Sequence, residues 1–312
     1  MTTKKKNILV IGGSGFIGKK LIKKLVISYN VILLSRRKNV NHITNDIDLF
    51  KVYYGDLKDL KLISDIIKNN EVDIFIHLAS SLIPSSNFDE YLLELNNIIV
   101  PTINILPFLA KNNVKLIFIS SGGAIYGVNE SGIFKESSKT DPVSYYGLSK
   151  KIIEDSVVLE NKISGLKYII IRPSNVYGIG QNLYSKQGVI AAMIKSLLDK
   201  STFSILGDGN VIRDYIYIDD FVSNFLEVLN KNIVNQIFNI GSGIGYSINE
   251  LILIINSLFD DRLLVQFKEK RKVDSPKIIL DISKYLAFFK NSSSREVEKA
   301  VMEFYDYEKS RN

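Results

Sequence analysis

Six short, almost continuous apolar runs recur through the first half of the chain, and this rhythm constrains the fold more than any other feature. They are NILVI (7–11), VILLS (31–35), FKVYY (50–54), DIFIHLA (73–79), KLIFIS (115–120) and LKYIIIR (166–172). Runs this rich in β-branched residues, with little polar alternation, suit strands covered on both faces, as in a parallel sheet. Between them lie amphipathic stretches with helical periodicity at 16–28, 59–69, 88–112 and 147–162. Strand and helix in regular alternation predict an α/β fold with a doubly wound parallel sheet. After Pro173 the rhythm changes: a helix is expected near 188–199, strands at DYIYI (214–218) and IFNIG (237–241) with a helix between them, and helices at 247–259 and 295–308. The expected organisation is one domain over 1–173, with 214–240 returning to it, and a smaller C-terminal α/β lobe from 174–213 and 241–312.

Composition narrows the chemistry. The 312 residues include no cysteine and two histidines, His42 and His77. A disulfide framework, a thiolate zinc site and a cysteine nucleophile are therefore excluded, and no metal centre is expected. The formal net charge is +7, but the basic residues are scattered rather than striped, so no nucleic-acid partner is expected. The apolar run after Lys6 is too short for a signal peptide and reads as a buried first strand. The later apolar stretches IIVPTINILPFLA and ELILIINSLF are too short or interrupted to span a bilayer. The expectation is a soluble, cytoplasmic protein with no membrane partner.

The segment IGGSGFIG (11–18) follows the first strand and opens the first helix. Gly12, Gly15 and Gly18 stand three residues apart, where a tight turn, close approach to a pyrophosphate and close helix–strand packing each need glycine. The helix N-terminus then offers unpaired N–H groups to the phosphates. At the end of the second strand, where a carboxylate would bind the ribose of NAD, the chain has Ser35, Arg36 and Arg37. A hydroxyl and a guanidinium suit a ribose phosphate, which favours NADP over NAD. Asp56, after the third strand, is a candidate partner for the adenine edge, or else a cap for the helix that follows.

In YYGLSK (145–150), Tyr146 and Lys150 are four residues apart and share one helical face. A phenol with a pKa near ~10 is a poor base at neutral pH. An adjacent ammonium favours the phenolate, so the pair could exchange a proton with a hydroxyl while hydride moves at a nicotinamide. His77, at a strand end, reads as a packed structural histidine.

IGGSGFIG, HLAS (77–80), SSGGAIYG (120–127), SYYGLSK (144–150), RPSNVYG (172–178), RDYIYIDD (213–220) and NIGSG (239–243) appear in this order. Over about the first 285 residues the chain resembles the extended short-chain dehydrogenases/reductases. Within them it is most similar to the UDP-glucose 4-epimerases, nucleotide-sugar dehydratases and 4-ketoreductases. The resemblance implies a Rossmann domain with a substrate-binding lobe. It implies Tyr146 as catalytic acid/base and Lys150 as the ribose ligand that tunes it. Cofactor contacts would come from Gly12, Gly15, Phe16, Ile17, Gly18, Asp56, Leu57, Leu78 and Ala79. Asn175, Gln187, Gly188, Arg213, Arg271 and Asp274 would bind a nucleotide-diphosphate sugar, although Arg213 could instead pair with Asp214 or Asp219. Relatives of this kind are often homodimers through two helices, here 88–112 and 145–162.

The chain departs from the pattern at one point. The family's catalytic Ser or Thr stands four residues before the tyrosine of its V-Y-G segment; here that position is Gly122. Either Ser121 reaches in, or a backbone N–H or water supplies the hydrogen bond. A dehydratase would need an Asp–Glu pair where Gly123 and Ala124 stand, which argues against dehydration. Two reactions remain. One is reduction of a nucleotide-linked 4-keto-6-deoxy hexose for surface-polysaccharide synthesis, favoured by Arg36 and Arg37. The other is 4-epimerisation of a UDP-hexose or UDP-N-acetylhexosamine, favoured by the second-half motifs. A non-catalytic dinucleotide-binding scaffold is the third reading, opposed by the set Tyr146, Lys150, Asn175, Arg213 and Arg271.

Overall fold

The computed structural model describes residues 4–36, 51–185, 187–269, 275–290 and 292–311. Six of the expected runs form strands: β1 (Asn7–Ile11), β2 (Asn30–Ser35), β3 (Lys51–Tyr54), β4 (Ile74–His77), β5 (Lys115–Ile119) and β7 (Tyr168–Pro173). With β11 (Gln236–Ile240) they make a seven-stranded sheet in the order β11-β7-β5-β4-β1-β2-β3. The pairs from β3 through to β7 are all parallel. The order reverses at β1, whose neighbours are β2 and β4. This opens a crevice at the carboxyl ends of the strands, where doubly wound sheets hold their ligands.

The described chain divides into two compact units. The first takes residues up to 125, 144–171 and 229–238; the second takes 126–143, 172–228 and 239 onward. This differs from the expected boundaries at 126–143 and 214–228, both of which group with the second unit. Strand pairing explains the difference. A two-residue strand β6 (Ile133–Phe134) pairs with β14 (Lys277–Leu280), and β10 (Ile212–Tyr217) pairs with β8 (Asn175–Tyr177), β12 (Gly245–Ser247) and β14.

In the first unit, helices Phe16–Ser28, Leu60–Asn69, Phe88–Lys111 and Tyr145–Ser164 accompany the sheet. Burial of Leu9, Phe75, Leu116 and Ile170 from the strands against Ile63, Ile66, Ile105, Leu109 and Ile153 from helices forms one apolar core. Helix Phe88–Lys111 is not uniform. It starts at a capping box, in which the Asn87 side chain accepts from Glu90 N and the Glu90 carboxylate accepts from Asn87 N. It then widens into a π-helical turn over Leu95–Ile99, where Val100 N donates to Leu95 O. Pro101 lacks the N–H that would bond Asn97 O, which gives the widening a local cause. The helix is longer than the apolar stretch read from the sequence. By length and composition its 24 residues could cross a bilayer, yet Ile98, Ile99, Ile105, Leu106 and Leu109 are buried in the core of the first unit.

Candidate active site

The glycine-rich turn lies at the head of β1. Gly12 has φ +75°, and a Cβ there would come within 2.5 Å of Ala79 N, so the turn lies hard against the chain leaving β4. A Cβ on Gly18 would strike Gly13 at 2.6 Å, which sets the close packing of the helix on its turn. Gly15 differs: its nearest neighbour to an added Cβ is Gly12 O at 3.4 Å, so packing makes little demand for glycine there. Gly15 also caps helix Phe16–Ser28 without a side-chain hydrogen bond, and no acidic residue occupies the first turn. The N–H groups of Phe16, Ile17 and Gly18 therefore begin a helix suited to an anion.

Around this turn is a cavity of about 280 Å³, all within the first unit. Gly12, Ser14 and Gly15 form one wall, and Leu78, Ala79 and Ser80 another. Ser35 and Arg36 stand at the end of β2, with Asp56 and Leu57 beyond β3. Asn97 and Ile98 close it from the π-helical turn. Ser35 is buried and Arg36 exposed. Asp56 accepts from Lys58 N at 3.0 Å and does not cap the following helix; Asp59 does that by accepting from Leu62 N at 2.9 Å. Shape, polar rim and uncapped helix together fit a dinucleotide. Asn97 was missed from the sequence because its place depends on how helix Phe88–Lys111 approaches the turn; Ser14 and Ser80 lie within the motifs IGGSGFIG and HLAS but were assigned no role there.

Tyr146 and Lys150 open helix Tyr145–Ser164, which Ser144 caps by accepting from Gly147 N at 3.1 Å. Lys150 is 3% exposed, and its Nζ sits 5.7 Å from the centre of the Tyr146 ring. It donates to Ile119 O at 3.2 Å and lies 5.1 Å from the Phe118 ring centre. Burial pulls this ammonium down to about 8, partly countered by the carboxylates of Glu94 and Glu154. The Tyr146 phenol is pushed up by its own burial; the Ser121 hydroxyl, hydrogen-bonded to it, acts in the opposite direction, and Glu94 raises it further. The expected depression of the phenol by Lys150 is not seen: desolvation sets the direction, and it is upward.

Of the alternatives left open by Gly122, Ser121 is the hydroxyl brought to the Tyr146 phenol. It ends β5's extension, its carbonyl accepts from Ala124 N and Ile125 N, and the short helix Gly122–Ile125 that results leaves its hydroxyl on Tyr146. His77 is fully buried, with Nε2 at 2.7 Å from Thr102 Oγ1. Thr102 spends its own proton on Ile98 O, so Nε2 carries the hydrogen of that contact. Burial pulls the imidazole down to about 3, so it stays neutral and structural.

The other candidates among the described residues, Asn175, Gln187, Gly188 and Arg213, lie in the second unit. Asn175, half-buried on β8, donates from its side chain to Asp214 O at 2.8 Å and is paired in register with Tyr215. Arg213 is two residues earlier on the same β10 strand and donates to Ile212 O at 2.8 Å. Asp214 accepts from Ser242 N, Ser242 Oγ, Gly243 N and Leu280 N, and so ties the NIGSG turn to β10 and β14. Gln187 is exposed, and Gly188 begins helix Val189–Leu198. Arg37, Arg271 and Asp274 lie outside the described residues.

Comparison with known proteins agrees with this geometry. The family model described as "NAD dependent epimerase/dehydratase family" matches residues 8–241. A putative UDP-glucose 4-epimerase of Methanocaldococcus jannaschii is 35% identical, over 89% of this chain and 90% of its own length. A dTDP-4-dehydro-6-deoxyglucose reductase of Escherichia coli is 30% identical, over 92% of each chain. The crystal structure of the Thermotoga maritima UDP-glucose 4-epimerase with UDP-glucose superposes with a TM-score of 0.90 at 30% identity, covering 98% of this chain and 99% of that one. A cofactor cavity at the switch point of a doubly wound sheet, a Ser–Tyr–Lys set and these relatives lead to one statement: the chain is an enzyme that belongs to the NAD-dependent epimerase/dehydratase family, in the branch of nucleotide-sugar epimerases and reductases.

Proposed function

We propose that the chain is a 4-ketoreductase of a nucleotide-linked 4-keto-6-deoxy hexose, using NADPH in preference to NADH. The observation that carries this reading is the rim of the cofactor cavity after β2, where Ser35 and an exposed Arg36 stand in place of a carboxylate. A guanidinium there favours a ribose phosphate, and with it a cofactor drawn from the reducing pool and exchanged every cycle. When bound, the nicotinamide supplies hydride. Tyr146 gives its proton to the carbonyl oxygen of the sugar, and Ser121 holds the phenol in place. Lys150, charged below about pH 8, supports that transfer from one helical turn away. Asn175 and Arg213 would bind the diphosphate of the substrate.

The second reading is 4-epimerisation, supported by the similarity to UDP-glucose 4-epimerases over nearly the whole chain. Mixing the purified protein with dTDP-4-keto-6-deoxyglucose and NADPH, and separately with UDP-glucose, separates the two. Loss of NADPH absorbance that Tyr146→Phe reduces about 10²-fold or more supports the reductase. Conversion of UDP-glucose to its C4 epimer with no consumption of NADPH replaces it.

The other parts of this reading follow from the same residues. Exposed Leu92, Leu93 and Val100 on helix Phe88–Lys111 and Leu159 and Ile163 on helix Tyr145–Ser164 support a homodimer through these helices. A cytoplasmic role in surface-polysaccharide sugar synthesis suits a soluble enzyme of nucleotide sugars.

A further inference from the structure

The Lys150 ammonium is withdrawn from water, and an aromatic face stands where water would be. Its Nζ lies 5.1 Å from the centre of the Phe118 ring and 5.7 Å from that of Tyr146, and it donates to Ile119 O at 3.2 Å. Phe118 and Ile119 are consecutive residues of β5, so one strand supplies both the ring and the carbonyl. A buried ammonium is costly unless other groups take over its solvation, and an aromatic face attracts a cation more strongly when both are desolvated. The Phe118 ring is itself fully buried. It is paired in register with His77 on β4, whose imidazole lies at 85° to it with ring centres 5.4 Å apart. His77 is held in turn by the Thr102 contact at 2.7 Å, and Thr102 by Ile98 O of the π-helical turn at 2.6 Å. The chemistry described so far gives neither Phe118 nor His77 a task.

We propose that Phe118 is a positioning residue of the active site: the face of its ring, with the Ile119 carbonyl beside it, holds the Lys150 ammonium next to Tyr146 and stabilises its charge there, while His77 braces the ring. Phe118 acts through Lys150 and needs no contact with substrate. An aliphatic side chain could fill the same space but has no π-face to offer a cation. The titratable groups around the ammonium are Tyr146 and Glu154 on its own helix, Glu94 on helix Phe88–Lys111 and His77 on β4. Burial opposes the ammonium, the two carboxylates favour it, and His77 stays neutral.

The inference rests on reading Tyr146 and Lys150 as the proton-transfer pair, and its test does not depend on turnover. Lysine labelled with ¹³C at Cε is titrated by NMR in the full chain, the Lys150 signal being assigned by its loss in Lys150→Met. In wild type the midpoint is expected at about 8. Phe118 is then replaced site-specifically by ring-fluorinated phenylalanines, which keep the shape and withdraw negative charge from the ring face. With increasing fluorination the Lys150 midpoint is expected to fall, by roughly half to one and a half pH units for the most fluorinated ring. A role for Phe118 in packing alone leaves the midpoint where it was. The ring current should also hold the Lys150 Cε protons upfield in wild type, and Phe118→Leu should release them downfield. Folded fluorinated protein whose Lys150 titrates as in wild type overturns the proposal, as does folded Phe118→Leu protein in which those protons keep their position. Inactivity with every sugar nucleotide tested, with the response to fluorination still present, would instead refute the reaction assigned above.

Discussion

Alanine at Gly15, with alanine at Gly12 as its counterpart, separates what the turn needs for folding from what it needs for a ligand. At Gly12 the backbone has φ +75°, which costs an L-residue about 1–2 kcal/mol. The new methyl would also lie 2.5 Å from Ala79 N and 2.7 Å from Leu78 C, both backbone atoms that cannot swing aside. Relieving that overlap costs about 1–3 kcal/mol, as for other overpacked sites. Together this is about 2–5 kcal/mol, which for a chain of this size is a fall in Tm of roughly 4–20 °C. At Gly15 φ is −75° and the nearest atom is 3.4 Å away. Alanine there gains about 0.4–1 kcal/mol from a less flexible unfolded chain. It loses a similar amount, about 0.5–1 kcal/mol, as a poorer N-cap than glycine. The stability of Gly15→Ala should therefore stay within about 0.5 kcal/mol of wild type. The methyl would nevertheless point where a pyrophosphate must approach, so NADPH affinity should fall at least about tenfold, or ~1.4 kcal/mol. Thermal unfolding without cofactor and titration of NADPH fluorescence measure the two quantities. Gly15→Ala protein that is as unstable as Gly12→Ala, or that binds NADPH like wild type, would refute the argument.

Four further outcomes are expected. Because burial holds Lys150 near 8 and the mechanism uses its ammonium, kcat/KM should decline as pH rises through that value, and Lys150→Arg should flatten this limb whatever its maximal rate. The same group binds fewer protons folded than unfolded between about 8 and its ordinary 10.5, so its contribution makes stability rise with pH across that window, visible in denaturant midpoints. Ser121→Ala removes the bond that draws the Tyr146 phenol down, so the rate should drop roughly tenfold with the NADPH Kd unchanged. Arg36→Ser should weaken NADPH about tenfold and leave NADH binding near wild type, measured by parallel fluorescence titrations.

The sheet and the outline of the site were legible in local patterning. Continuous apolar runs mark buried parallel strands because both faces must leave water, and this signal is local. The glycine triplet and the Tyr146–Lys150 spacing are local for the same reason: one turn and one helical face contain them. The rest depended on contacts between segments far apart in the chain. Whether Ser121 could replace a hydroxyl at 122 depended on how Gly122–Ile125 coils after β5. Strand β6 is two residues long and exists through its pairing with β14, almost 150 residues later, so no periodicity announced it and the domain boundary moved with it. Glu94 reads in sequence as one more carboxylate on a helix that also carries Asp89 and Glu90, and its burial with Ser80 and Ser81 on its carboxylate appears only in the folded chain. Strand and helix patterning follows from what each residue must hide from water; proton chemistry follows from which charges are then enclosed together, and distant segments settle that only once they have packed.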